Sequence, residues 1–283
     1  MTEIYIAQAI AIVTVMFTIR SFYKIGKRVY SNKQFDKKFN IKTQGTRKAG
    51  TSNKYNRTES TPYTALLDLK ENYYIPEDFG IVDYGSGKGR STIMLHHLYK
   101  SNVTGVEVNT ETCNESIANY ESYKKLHKNE VKTEVSFVND IAENYKIKEN
   151  DNVFFIFNSF HSSVLNGILE EIIKDSEENF KNPIIILYYP TKKFMKTMEK
   201  YNFIINKEIK TKHSVLSSEK FIVYNLNKSS WWISIFQSII NLIIQKRNSI
   251  YFENICCFKF WNLKISLNLK TEIYKTSSTY WTI

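Results

Sequence analysis

Three of the chain's nine glycines fall within five residues, in FGIVDYGSGKGRS, Phe79 to Ser91. An apolar run ends in Asp83, and Gly85, Gly87 and Gly89 then alternate with Ser86 and Lys88. Glycine permits tight turns and a close approach of backbone to a ligand, which suits Gly85 and Gly87. Gly89 suits close packing of a following helix, whose first N–H groups favour a negative partner. The spacing is G-x-G-x-G, and position 90 is Arg90. The G-x-G-x-x-G fingerprint of nicotinamide and flavin enzymes is therefore incomplete.

Three further polar groups stand at the ends of later apolar runs. Glu107 follows Asp83 by 24 residues and is placed to bind both hydroxyls of a ribose. Asn139 and Asp140 close the next run, where an acid can meet an adenine amino group. Asn158, in FIFNSF, closes another and would stand beside whatever reacts. Each has a plainer reading alone: an ordinary turn at GSGKG, a loop-capping Asp83, a solvated Glu107, a turn-forming Asn158. Four in order at strand ends predict a nucleoside-cofactor site, because open parallel sheets bind ligands beyond their carboxyl ends.

The elements that must position these groups alternate. Short apolar runs at GIVDY, VTGVEV, EVSFV, NVFFIF and PIIILYY predict strands. RSTIMLHHLYK, TETCNESIANYESYKKLH, SSVLNGILEEIIKDSEENF and TKKFMKTMEKYN between them predict helices. Strands apolar on both faces indicate an α/β fold, a doubly wound parallel sheet covered on both sides. FIINKEIKT and KFIVYNLN have only a loop between them and predict an antiparallel final pair at the sheet edge. Upstream, TPYTALLDLKENYY predicts a helix with Thr61 as N-cap and Pro62 at its first position.

In these segments the chain resembles a class I, seven-stranded S-adenosylmethionine-dependent methyltransferase. VDYGSGKGR resembles the first motif, GVEVN the acidic second, ND the third and FNSF the fourth. The resemblance extends from about Phe35 to Asn227, and is strongest to a bacterial subgroup with an IDFGSGKGR motif and an upstream T-P-Y. It implies a seven-stranded, mostly parallel sheet with an antiparallel last strand, and S-adenosyl-L-methionine as cofactor. It implies that Asp83 and the backbone of Gly85, Ser86, Gly87 and Gly89 hold the amino-acid end, with Thr61 and Tyr63 closing over it. Glu107 and Asn109 would lie at the ribose, Asp140 at the adenine and Asn158 near the methyl group as the catalytic position. Ser159 departs from the pattern, since related chains often carry a loop-stiffening proline there.

The net charge of +11 is local. Between Arg20 and Arg57 lie 12 basic residues and one acid, Asp36, whereas 58–228 has a slight acidic excess. That placement argues against specific nucleic-acid binding. Ile4 to Ile19 carry no charge and as a helix span about 24 Å, a little short of the ~30 Å hydrocarbon core. Tyr5, Phe22 and Tyr23 could lie at the interfaces, and Arg20 and Lys24 could snorkel. An acidic start and a basic flank after the apolar run fit a membrane anchor with the following domain cytoplasmic, the basic stretch facing anionic headgroups. A packed N-terminal helix is the alternative.

The chain therefore divides into a hydrophobic helix (1–30), a basic arm without a core of its own (31–60), a methyltransferase domain (61–228) and a tail (229–283). The tail could be a second membrane-associated helix, a helical cap or a spurious extension. Cys113, Cys256 and Cys257 have no zinc or disulfide spacing, and no metal constellation appears. His161 is the nearest base to Asn158 in sequence, though a solvent-facing histidine at a helix start is the plainer reading. The acceptor, protein nitrogen or small molecule, is not legible. The competing functions are a non-catalytic membrane-tethered scaffold that retains the fold and a nicotinamide-dependent oxidoreductase.

Overall fold

The runs GIVDY, VTGV and IIILY are buried along their whole length, on both faces. The computed structural model describes residues 2–47, 54–57, 59–128, 133–214, 216 and 218–227. Within it, β1 (Gly80–Tyr84), β2 (Val103–Val106), β3 (Val135–Val138), β4 (Asp151–Phe157) and β5 (Ile184–Tyr188) are parallel. β7 (Lys220–Leu226) runs antiparallel between β5 and β6 (Phe203–Lys210). The sheet order is β3-β2-β1-β4-β5-β7-β6, the seven-stranded sheet with a reversed last strand that the resemblance implies.

Side chains alternate across the sheet, as the pleat requires. Ile81, Phe155 and Ile186 face α2 (Tyr63–Asn72), α3 (Arg90–Tyr99) and α4 (Thr110–Leu126). Val82, Phe154 and Ile185 face α5 (Ser162–Glu178) and α6 (Lys192–Lys200). β6 is an edge strand that carries Lys207 and Lys210, a usual guard against edge-to-edge pairing.

Two features differ from the sequence expectation. The N-terminal helix α1 does not end near residue 30; it runs unbroken from Thr2 to Phe39. Nor is the basic arm without a core, because Asp36, Phe39, Ile41 and Thr43 are buried. Phe35 and Phe39 lie one turn apart on the same helix face, and both pack against the Tyr63 ring. Lysines on either side of these phenylalanines hide the stripe in a composition count. The second difference is at α2, whose N-cap is Pro62 with no side-chain cap, so Thr61 does not cap it. The tail at 229–283, with Cys256 and Cys257, lies outside the described residues.

The two ends of α1 should therefore respond differently to truncation. Phe39 is fully buried against His97 and Tyr123, and Phe39→Ala should lower the unfolding free energy by about 3–5 kcal/mol. Phe22 is 73 % exposed, and Phe22→Ala should change it by less than about 0.5 kcal/mol. Denaturant titration in detergent, followed by near-ultraviolet circular dichroism, measures both.

Candidate active site

The glycine stretch lies at the carboxyl end of β1, and its glycines are there for two distinct reasons. Gly85 and Gly89 have φ of 78° and 83°, a region that side chains with a Cβ rarely occupy. Gly85 also leaves room for a neighbour: a Cβ there would lie 2.3 Å from the Ser159 side chain. Gly89, the N-cap of α3, makes room for Phe137 of β3 and Ser116 of α4. The loop therefore lies directly against the segment that follows β4.

Loop N–H groups meet a negative partner within the chain itself. Glu107, just past β2, accepts from Gly87 N at 2.9 Å and from Asn109 N at 2.9 Å. Burial pushes the Glu107 carboxyl up, while the three backbone N–H groups around it pull the other way. Asn109 is the N-cap of α4, and its side-chain oxygen accepts from Thr112 N. Asn139 is a brace, donating to the carbonyls of Glu107 and Val108.

Asp83 is 1 % exposed and lies beneath the start of α3. Its Oδ2 accepts from Ser91 Oγ at 2.7 Å and Thr92 Oγ1 at 2.6 Å. Here it fastens the glycine turn to the helix. Burial raises its pKa from 3.8 to about 6, against the pull of the two hydroxyls. Tyr63 and Thr61 are also buried, and Tyr63 belongs to another cluster. Its hydroxyl donates to Asp36 at 2.8 Å and its ring lies under the Arg90 guanidinium.

Four groups do share one cleft of about 370 Å³ at the carboxyl edge: Gly85, Glu107, Asp140 and Asn158. Asp140 Oδ1 accepts from Ile141 N and Asn144 Nδ2, which sets the carboxylate at the start of a 3-10 turn, Ala142–Asn144. Asn158 has φ of 37°, strained for a residue with a Cβ, and such strain clusters at functional sites. His161 is exposed and caps α5 by accepting from Ser163 N, so it stands outside the cleft lining.

The remaining wall comes from the arm, which the sequence did not assign to the site. Residues 54–56 pair with the loop after β4: Asn56 N donates to Ser159 O, His161 N to Lys54 O, and Asn56 Nδ2 to Asn158 O at 2.6 Å. Tyr55 bridges to Phe160, and its hydroxyl donates to Glu143 at 2.9 Å. Tyr55, Asn56, Arg57 and Glu59 thus line the cleft opposite the strand ends. The one available signal was Tyr55, the only aromatic residue between Asn40 and Ser60.

No family model matches the chain, and no curated protein matches it. Solved structures similar to it include a TehB-like SAM-dependent methyltransferase from Corynebacterium glutamicum, at 13 % identity and a TM-score of 0.41. That match covers 59 % of this chain and 87 % of that one. TrmK of M. capricolum, in complex with S-adenosyl-homocysteine, is 16 % identical with a TM-score of 0.38, covering 74 % and 96 %. An RNA methyltransferase from Salinibacter ruber, also with S-adenosyl-L-homocysteine, is 15 % identical with a TM-score of 0.39, covering 59 % and 92 %. Likenesses this distant leave the functional reading to rest on the cleft.

The raised Asp83 pKa fixes a sign. A carboxyl that holds its proton more tightly when folded favours the native state at low pH. That contribution is lost as pH rises from the unfolded value near 3.8 to about 6. Asp83→Asn should flatten the stability profile across this window, by on the order of 3 kcal/mol at most. Melting temperatures of both proteins between about pH 4 and pH 7 check this.

Proposed function

We propose that the chain is an S-adenosyl-L-methionine-dependent methyltransferase anchored in a membrane by α1. One observation carries the catalytic part of this reading. Gly85, Glu107, Asp140 and Asn158, from four successive strand ends, meet in a single cleft. The donor chemistry fits the cofactor. A carboxylate at Glu107 suits a ribose diol, and the Asp140 carboxylate offers an acceptor to an adenine amino group. Ser86 Oγ, in the glycine loop, is buried without a partner, so a polar atom of the loop has bonding capacity left over.

The cofactor supplies a methyl group already activated on a sulfonium. The chain's own work is orientation and exclusion of water. Asn158 faces the reacting end, and Asn56 holds its carbonyl. Phe157, Phe160 and Tyr55 provide apolar walls.

Support for the anchor comes from exposure. Ile4–Phe39 contains a window of mean hydropathy 1.6, none of it buried. Ile12, Val13, Phe17 and Ile19 are each at least 60 % exposed, so apolar side chains face outward all round. A helix apolar on every side belongs in protein or in lipid, and the described residues give these side chains no protein cover. Basic residues after the span support a cytoplasmic side for the domain.

Calorimetric titration of S-adenosyl-L-homocysteine into the full chain in detergent should give micromolar binding. Glu107→Ala and Asp140→Ala should each weaken it at least tenfold, and NADH should not bind. No binding by a folded chain would overturn the catalytic reading in favour of a scaffold. The anchor is checked separately: the full chain should float with lipid vesicles on a density gradient and stay with them at high salt.

A further inference from the structure

The span and the domain meet without a spacer. From Ile4 to Tyr23 the helix rises about 30 Å, the thickness of the hydrocarbon core, and Arg20 sits one turn from its end. Phe22 and Tyr23 are 73 % and 66 % exposed. The next residue already touches the domain: Lys24 Nζ donates to Ser214 O at 2.7 Å. One turn on, Arg28 pairs with Glu219 at 2.7 Å. Both partners belong to the turn between β6 and β7, which lies immediately beside the point where the apolar helix leaves the domain.

That turn balances Lys212 against Glu219, lies beside the basic residues of α1 and carries an exposed apolar residue. Partial burial, and then the nearby charges of Lys27 and Lys24, push the His213 pKa down against the pull of Asp68. Lys212 is 58 % exposed, though paired with Glu71. Leu216 is 55 % exposed. Lys24 bonds a neutral carbonyl, and among the described residues no acid pairs with Lys27 or Arg20. Arg28 and Lys212 are offset by Glu219 and Glu71, so the charge left over at this corner is that of Arg20, Lys24 and Lys27. An anionic surface compensates it, and the apolar helix next to them specifies which surface.

We infer that the β6–β7 turn is a membrane-docking element: with Arg20, Lys24 and Lys27 of α1 it forms a basic shelf that seats on the headgroups of an anionic bilayer, with Leu216 entering the interface. The inference rests on the reading of α1 as an anchor. It adds a fixed orientation. β7 is antiparallel to β5, so the turn before it lies at the carboxyl edge that holds the cleft. β4, which ends in the cleft, is two strand spacings from β7, about 10 Å. The docked turn therefore holds the cleft's edge of the sheet at the bilayer surface.

The test uses the full chain with Cys256→Ser and Cys257→Ser, leaving Cys113 buried. A fluorophore is attached at Leu216→Cys or, for comparison, at Phe180→Cys, an 83 % exposed position just before β5 on the opposite edge. The protein is placed in phosphatidylcholine–phosphatidylglycerol vesicles with a nitroxide quencher on the headgroup. The label at 216 should lose more than about half its intensity while the label at 180 keeps it. Omitting phosphatidylglycerol, or introducing Lys27→Glu, should reduce quenching at 216 without releasing the chain. Equal quenching at 216 and 180 in floating vesicles would overturn the docking and leave the anchor standing. Quenching at 216 indifferent to both charge changes would overturn the basic shelf. A chain that does not float would remove the anchor, and the docking with it.

Discussion

A buried ion pair between Asp36 and Arg90 joins α1 to α3. The guanidinium Nη2 lies 3.3 Å from Asp36 Oδ2, and its Nε donates to Thr43 Oγ1 at 2.6 Å. Thr43 and Tyr63 both donate to Asp36 Oδ1. All four residues are at most 5 % exposed. Charges taken this far out of water need each other, and removing one partner of such a pair typically costs 3–5 kcal/mol. Four segments meet here: the end of α1, the irregular arm at 41–43, the start of α2 and the first residue of α3. That first residue follows Gly89 directly, so the cluster also fixes where the glycine turn ends. It gives Arg90 a structural task at the place where the sequence departs from the dinucleotide fingerprint.

The cleft is built by the same logic of mutual satisfaction. Glu107 lies against Gly87 N and Asn109 N, which keeps a buried carboxylate supplied with donors. Asp83 is held by Ser91 and Thr92, so the turn is tied to α3 from below. Asn56 holds the carbonyl of Asn158, and this bond supports a backbone conformation that would otherwise be unfavourable. The arm is thus a wall of the site as well as a connector.

What could be read in the sequence was what is local. β1, β4 and β5 announce themselves as short runs of Ile, Val and Phe. The β6–β7 pair is visible because no helical segment separates the two runs. Gly85, Glu107, Asp140 and Asn158 were placed by their position after such runs, and they share the cleft. Tyr63, Thr61 and Asn109 were grouped with them, but Tyr63 bonds Asp36, Thr61 is buried away from the cleft lining, and Asn109 caps α4. The Asp36–Arg90 contact spans 54 residues and leaves no local trace. The pairing of residues 54–56 with the loop after β4 joins positions 102 apart, and the arm itself is polar, with no hydrophobic period to be read.

The clamp at the base of α1 has a temporal consequence. The bonds Lys24–Ser214 and Arg28–Glu219 bridge 190 and 191 residues, the widest separations among the side-chain bonds of the described residues. Synthesis delivers α1 well before the β6–β7 turn. Over that interval the Lys24–Arg28 stretch lacks its partners, while Phe35 and Phe39 further along the helix can already meet Tyr63 of α2. Folding is in this way ordered by topology: the far end of α1 packs early, and its base is clamped only when the β6–β7 hairpin closes the sheet.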